Sequence, residues 1–543
     1  MSAAQTTADD AVLANWFLSA AERGNTATGV DRRGAASWST GNDVRPLIHG
    51  ATYFGALRSC AESLTAGDTL YFTDWRGDPD EAVDATGTDI SAVLAGVARR
   101  GGVVNGLVWR SHWDKFAFSA AQNRRLGAEI EAAGGCCLLD MRVRFGGSHH
   151  QKCVVIRHAE SAKSADDVAF VGGIDLCHSR RDDVEHAGDP QSQPIAAVYG
   201  ARPPWHDAQL AIRGPAVGDV EYTFRERWTD PQPLSRAPWR RIADLVRGAD
   251  VKARALPEQP ADPPSVGRHA VQVLRTYPKR LHPYPFAPDG ERSVALGYAK
   301  ALRRARSLIY LEDQYLWSSH VVGAFAEALR TWPELRMVAV LPLYPDQDGR
   351  ISGPPNELGR LDALRELRAA GGDRVAVYGL ENQSGVPIYV HAKICVIDDV
   401  WMSIGSDNVN RRSWTHDSEL SCAVIDEERD TRHPRDPAGL GDGARTLARD
   451  LRLTLAREHL GREHADDGDL VDPVEFFEAM AAAADRLDAW HASGRRGERP
   501  AGQLRRHRDA PLGRGTRLMA RPLYRLVYDP DGRPWRLRKT GRF

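Results

Sequence analysis

The chain has 543 residues, 42% hydrophobic and 27% charged, with a formal net charge of −1. That length supports two or more large cores. The composition excludes global disorder, and the charge balance excludes an overall field drawing the protein onto nucleic acid or a lipid surface. Seven cysteines, an odd number with no CxxC pair, argue against a disulfide or zinc framework and for a reducing compartment. The opening MSAAQTTADDAVLANWF lacks the basic start and apolar run of a signal peptide. No stretch approaches 18 uninterrupted apolar residues. A cytoplasmic protein is expected, touching membranes only peripherally.

In chain order, residues 1–45 read as an N-terminal segment. A helix over Tyr53–Ala66 then leads into a strand at Thr69–Phe72, and 79 residues after Tyr71 comes His150-Gln151-Lys152. An apolar strand follows, then a polar loop around His158–Ala165, Asp166-Asp167-Val168, and a turn at Gly172-Gly173-Ile174-Asp175. The same succession returns after a Pro-rich linker at residues 251–268. A helix over Ser293–Ala305 leads into Leu308–Leu311, and 81 residues after Tyr310 comes His391-Ala392-Lys393. Asp398-Asp399-Val400 and the turn Gly405-Ser406-Asp407-Asn408 follow. Alternating helix and strand patterns in each copy predict an α/β protein of two similar α/β/α sandwich lobes with mixed sheets, related by pseudo-two-fold duplication. The lobes are expected at 46–250 and 269–465, with a helical, basic extension over 466–543. Within that extension a helix starts at Asp472 and Pro473. Residues 491–543 carry 15 Arg/Lys against 4 Asp/Glu, a net +11. Apolar Leu523–Tyr528 and Trp535–Leu537 read as a docked strand hairpin.

The His-x-Lys triplets carry the chemistry. With 18 histidines and 8 lysines, chance gives roughly 0.3 such triplets, so two at matched spacing carry weight. On a strand, i and i+2 share a face, so each triplet aims an imidazole and an ammonium at one spot. A phosphodiester needs cations on its non-bridging oxygens, a nucleophile, and an acid for the leaving oxygen. Two histidines supply the last two roles, and Lys152 and Lys393 the first. Gly172-Gly173 and Gly405-Ser406 are turns where backbone approaches a substrate. Cys153 and Cys395 read as core, and Trp205 and Trp414 as core or lipid contacts.

Two HxK motifs, each followed by a Gly-Gly or Gly-Ser turn, resemble the phospholipase D superfamily. His391-x-Lys393-x4-Asp398 with Gly405-Ser406-x-Asn408 matches its motif in full. His149–Lys152, Phe170–Cys177, Pro204-Trp205-His206-Asp207, Ile309–Gln314 and Asp417-Ser418-Glu419 resemble eukaryotic-type members. The resemblance implies a phosphohistidine intermediate, with His150 as nucleophile and His391 as general acid. It implies orienting carboxylates from the opposite half, Asp417 for His150 and Asp207 for His391. Gly172, Gly173, Asp175, Gly405, Ser406 and Asn408 are expected to bind substrate. The first motif departs from the pattern, with Arg157 at the aspartate position and Asp166 or Asp167 expected to fill that role. The expected activity is hydrolysis of a glycerophospholipid to phosphatidate and free alcohol, with transfer to other alcohols. A cardiolipin synthase-like transferase, a nuclease or an inactive lipid-binding scaffold are the alternatives. No cofactor, metal or nucleic-acid partner is expected, and the chain is expected to act as a monomer.

Overall fold

The structure, a computed structural model, describes residues 3–31, 37–112, 120–249, 252–347, 349, 353–463, 467–508, 512–540 and 543. The first lobe holds strands β1 (Ser39–Ile48), β2 (Thr69–Asp74), β3 (Val103–Trp109), β4 (Cys136–Asp140), β5 (Cys153–Arg157), β6 (Val168–Gly172), β7 (Trp205–His206) and β8 (Ala208–Arg213). The second holds β9 (His269–Tyr277), β10 (Glu291–Arg292), β11 (Leu308–Glu312), β12 (Arg336–Val340), β13 (Val375–Glu381), β14 (Pro387–Val390), β15 (Ile394–Ile397), β16 (Trp401–Gly405) and β17 (Glu419–Asp426), and the extension adds β18 (Leu504–Arg506).

The duplication is visible in the strand order. The first sheet runs β4-β3-β2-β5-β6-β8-β1, with β2, β3 and β4 parallel and the remaining pairs antiparallel. The second runs β13-β12-β11-β15-β16-β17-β9 with the same directions. The halves join through β1 and β9, where Ser39 pairs with Val271 and Asn42 with His269. Alternation along a strand divides its side chains between two cores. Cys153 and Val155 of β5 face a central cluster shared by both lobes and by the helices Ala216–Trp228 and Thr446–Leu460. Val154 and Ile156 face the outer helices Gly50–Glu62, Ile90–Arg99 and Ala121–Ala132. In β15, Ile394 and Val396 face the central cluster, while Cys395 and Ile397 face the second lobe's outer helices. Both cysteines are core residues. Each sheet is thus covered on both faces, as the α/β pattern requires.

The N-terminal segment is not separate from the lobes. β1 begins at Ser39 and pairs with β8, while Trp16, Phe17 and Leu18 are buried in the second lobe's outer core. The linker lies along the first lobe, where Arg225 donates to the Pro257 carbonyl at 2.7 Å. The helix expected from Asp472 runs Pro473–Ala492, its cap carboxylate accepting from the amides of Val474 and Glu475. The C-terminal hairpin is a correction. Arg514–Leu523 is a helix that widens into one turn over Tyr524–Tyr528, followed by a short helix at Trp535–Thr540. The physical reason is spacing: Ala520, Tyr524 and Tyr528 recur every four residues, and this face packs on Trp317 and Leu358. Part of the basic stretch is also ordered, in Arg505-Arg506. It forms β18 on the edge of β13, with Arg505 bonded to Glu381 and Asp488.

Candidate active site

Both HxK histidines sit where one lobe's chain runs beside the other's. His391 follows β14, which pairs in parallel with β7 across the lobe boundary, and its amide donates to the His206 carbonyl at 2.7 Å. His149 bridges in parallel to Ser418, and the His150 amide donates to the Ser418 carbonyl at 3.0 Å. In each case the residue after the accepting carbonyl is a carboxylate that holds the imidazole. Asp207 Oδ2 lies 2.6 Å from His391 Nδ1, and Glu419 Oε2 lies 2.8 Å from His150 Nδ1. The two pairs are crossed between lobes and equivalent under the pseudo-two-fold.

This corrects one expected residue. Asp417, two positions earlier, does not hold His150. It accepts from the Ser148 amide and hydroxyl at 3.0 and 2.8 Å and from Arg412 at 2.7 Å, tying down the approach to the motif. The cross-lobe register makes Glu419 the counterpart of Asp207. The glycine-serine turns support the same equivalence. A Cβ on Gly173 would meet Asp207 Oδ1 at 2.2 Å, so only glycine fits beside that carboxylate. At the matching place Ser406 donates its hydroxyl to Glu419 Oε2 at 2.6 Å. Gly172 and Gly405 are closed in likewise, by the Ala208 carbonyl and by Ser421.

The lysines differ in company. Lys152 forms an ion pair with Asp175 at 3.3 Å and donates to the His150 carbonyl at 3.1 Å. Lys393 donates to the His391 carbonyl and lies 3.5 Å from Gln314 Oε1. Asn408 stands in the second copy where Asp175 stands in the first, and its buried Oδ1 has no hydrogen-bond partner. Burial lowers Lys393 to about 8, against the opposing pull of Asp207 and Asp313. Asp175 touches a second buried acid, Asp74. Burial and the Asp175 charge push Asp74 well above the carboxylate range, whereas Lys152 and Arg180 hold Asp175 below it despite burial.

Burial first, and the adjacent lysine second, push both His150 and His391 well below the ordinary imidazole value. Each also feels the other motif's lysine, so the four groups share one field. Burial and the nearby Asp417 raise Glu419 to about 8, and burial raises Asp207. Aromatic rings wall the site. Trp75, stacked on Trp109 at 5.6 Å, stands edge-on to His150 at 6.2 Å. Trp205 lies 5.1 Å from His391 under the Arg180 guanidinium. Trp414 is instead deep in the second lobe's outer core.

In the first motif, neither Asp166 nor Asp167 makes the contacts of the second motif's Asp398. Asp167 accepts from Arg157 Nε and from the His158 amide, both at 2.7 Å, while Asp166 pairs at the surface with Arg213. Asp398 in the second motif accepts from the amides of Arg306, Ser307 and Leu308 and so anchors the start of β11. Sequence reasoning passed over the roles of Glu419, Arg180 and the Trp75–Trp109 wall. Only the Asp417-Ser418-Glu419 stretch offered a signal, and it does not rank its two acids.

A family model described as Phospholipase D matches residues 135–328, and one described as Cardiolipin synthase, PLD-like domain, matches residues 300–433. Phospholipase D alpha 2 of Oryza sativa subsp. japonica is 27% identical over 440 residues, covering 61% of this chain and 51% of that protein. Phospholipase D delta of Arabidopsis thaliana is 25% identical over 424 residues, covering 58% and 48%. The chain thus spans about half the length of the curated relatives it matches. A phosphatidylserine synthase structure from Haemophilus influenzae Rd KW20 aligns with a TM-score of 0.48 and 13% identity over 78% of this chain and 87% of that one. The two family models meet within the second lobe and between them take in both HxK motifs, and with the phospholipase D relatives they place this chain in the phospholipase D superfamily.

Proposed function

We propose that the protein is a phospholipase D that cleaves the head-group phosphodiester of a glycerophospholipid through a phosphohistidine intermediate. The observation that carries this reading is the crossed pair of histidine–carboxylate couples, each with a buried lysine two residues after its histidine. His150 is the more open imidazole, its side chain 15% exposed against 7% for His391, and it is assigned the attack on phosphorus. Glu419 keeps its Nδ1 protonated, which leaves the Nε2 lone pair for the bond. Lys152 and Lys393 take the non-bridging oxygens, as point charges suited to a tetrahedral group. The bound phosphate anion offsets the lysine charges that depress the imidazoles, so His391 carries the proton for the departing alcohol. His391, now neutral, then takes a proton from water, which attacks the phosphohistidine and releases phosphatidate.

An alcohol entering in place of water gives transphosphatidylation by the same steps. The match of residues 300–433 to a model described as a cardiolipin synthase domain favours a lipid alcohol as one acceptor to be tried. The reading is tested by incubating the protein with phosphatidylcholine vesicles, with and without added primary alcohol or phosphatidylglycerol. Phosphatidate, or the corresponding transfer product, is expected from the wild type and not from His150→Ala. No product from any glycerophospholipid, with cleavage of plasmid DNA instead, would move the chain to the nuclease reading.

A further inference from the structure

Beneath the His391 side of the site, four histidines and two glutamates gather in the interior without a part in the two-histidine chemistry. His49 follows β1, His186 lies in the loop after β6, His206 is on β7 beside Asp207, and Glu458 is in the last turn of the helix Thr446–Leu460. The histidines are buried and the Glu458 side chain is 9% exposed. Glu458 lies 3.0 Å from His49 Nε2, 3.0 Å from His186 Nε2 and 3.6 Å from His206 Nδ1.

The outer ring nitrogens decide what the inner ones can be. His186 Nδ1 donates to the Trp205 carbonyl at 3.1 Å, and His206 Nε2 donates to Glu312 Oε2 at 2.6 Å. In a neutral ring each arrangement leaves the inner nitrogen as a lone pair aimed at the Glu458 carboxylate. His206 Nδ1 is wholly buried and has no hydrogen-bond partner. Two acceptors facing each other in the interior repel unless a cation lies between them. The four candidate ligand atoms lie within 4.8 Å of one another. Donors around a tetrahedral ion with metal–nitrogen bonds of about 2.0–2.1 Å stand roughly 3.3 Å apart, within the spread observed here. A carbonyl or carboxylate on the outer nitrogen is the arrangement that fixes a ligating histidine. His49 and His186 also hold φ of 67° and 50°, a region disfavoured for non-glycine residues.

We propose that His49, His186, His206 and Glu458 bind one divalent transition-metal ion, zinc by the chemistry of three imidazoles and a carboxylate. Glu312 stays outside the coordination shell, because its oxygens already accept from His206, His459 and Tyr310 at 2.6, 2.7 and 2.5 Å. Four protein ligands leave no open position, so the ion is structural. It ties the end of β1, the His186 loop, β7 and the helix Thr446–Leu460 together, and so sets the strand that carries Asp207 and receives the His391 amide. The proposal departs from the sequence-based expectation of no metal. Ligands at 49, 186, 206 and 458 form no local motif.

The test is elemental analysis of the full-length protein purified without chelator, with cobalt substitution as a second readout. About one equivalent of zinc per chain is expected, together with the strong visible absorption of tetrahedral cobalt after exchange. Glu458→Gln and His49→Asn should each lower zinc affinity more than about tenfold. Less than a tenth of an equivalent of any transition metal, with no zinc taken up on back-titration of chelator-treated protein, would overturn the proposal and leave shared protons as the cation. Metal retained unchanged in both variants would overturn it equally. Because the readouts are metal content and spectrum, they stand apart from any assay of phospholipid cleavage.

Discussion

At the scale of single residues, the acids at 417 and 419 are separated by what they touch. Glu419 holds the His150 ring, whereas Asp417 holds Ser148 and Arg412. Glu419→Gln keeps the shape but can turn an amide nitrogen toward Nδ1, so the acceptor that fixes the His150 tautomer is lost. We expect kcat to fall by about 10²–10⁴-fold with little change in melting temperature. Asp417→Asn removes part of a buried hydrogen-bond set and should cost about 1–3 kcal/mol in stability, with a smaller loss of kcat. Steady-state kinetics and thermal unfolding of the two variants distinguish the roles, and the opposite ranking of kcat would return the orienting role to Asp417. The identities of both histidines and both lysines could be read from spacing alone. The choice between Asp417 and Glu419 could not, because it depends on the register between Ser418 and His150, 268 residues apart in sequence. No local pattern encodes such a pairing.

At the scale of elements, the turn leading into β17 is coupled to pH through His416. Burial is the main cause that lowers this imidazole to about 4; Arg412 and Arg144 add to it, and Asp417 opposes them. Its Nε2 donates to the Phe145 carbonyl at 3.1 Å, and its buried Nδ1 has no partner. The unfolded chain therefore binds a proton between about pH 6.5 and 4 that the folded chain does not. Stability from this group is whole above pH 6.5 and is lost as pH falls toward 4, on the order of 3 kcal/mol in all. His416→Asn should flatten the melting temperature across that window, and an unchanged slope would contradict the assignment.

The C-terminal element makes a similar point about local pattern. Leu523–Tyr528 is apolar enough for a strand, but the four-residue spacing of Ala520, Tyr524 and Tyr528 finds a partner face on Trp317 and Leu358, and tertiary packing decides. Asp529, buried behind this turn, accepts from the Tyr524 hydroxyl at 2.9 Å and from the Arg412 amide at 2.9 Å. Asp529→Ala should cost about 1–3 kcal/mol, read as a lower denaturation midpoint. By contrast, the duplication of a mixed-sheet α/β unit was legible in the repeated order of helix, strand and motif, while the strand order within each sheet depends on long-range pairing and was not.

At the scale of the whole molecule, exposed apolar side chains of the extension lie beside two loops of the lobes. Arg412 donates to the carbonyls of Gly146 and Val527, and Arg144 to those of Lys279 and Gly532, so the segments around 145, 281 and 526–532 adjoin. Phe145, Leu281, Leu526 and Val527 on these segments are exposed. No helix among the described residues is long and apolar enough to cross a membrane. A patch of this kind, edged by arginines, suits contact with an anionic bilayer surface. Replacing Phe145, Leu281 and Leu526 together by serine should weaken binding to phosphatidylserine-containing vesicles by about tenfold or more, while turnover of a soluble short-chain phospholipid is kept. Vesicle affinity unchanged by the triple substitution would remove this surface from consideration.

The central claim is that the two HxK motifs make a single site in which one histidine carries the phosphatidyl group. It is tested most directly by rapid acid-free quenching of the enzyme with a labelled short-chain phospholipid, followed by peptide mapping. The account predicts close to one labelled histidine per chain at most, located at His150, undiminished by Asp417→Asn and absent from His150→Ala. Label divided between His150 and His391, or turnover by His150→Ala at the wild-type rate, would contradict it.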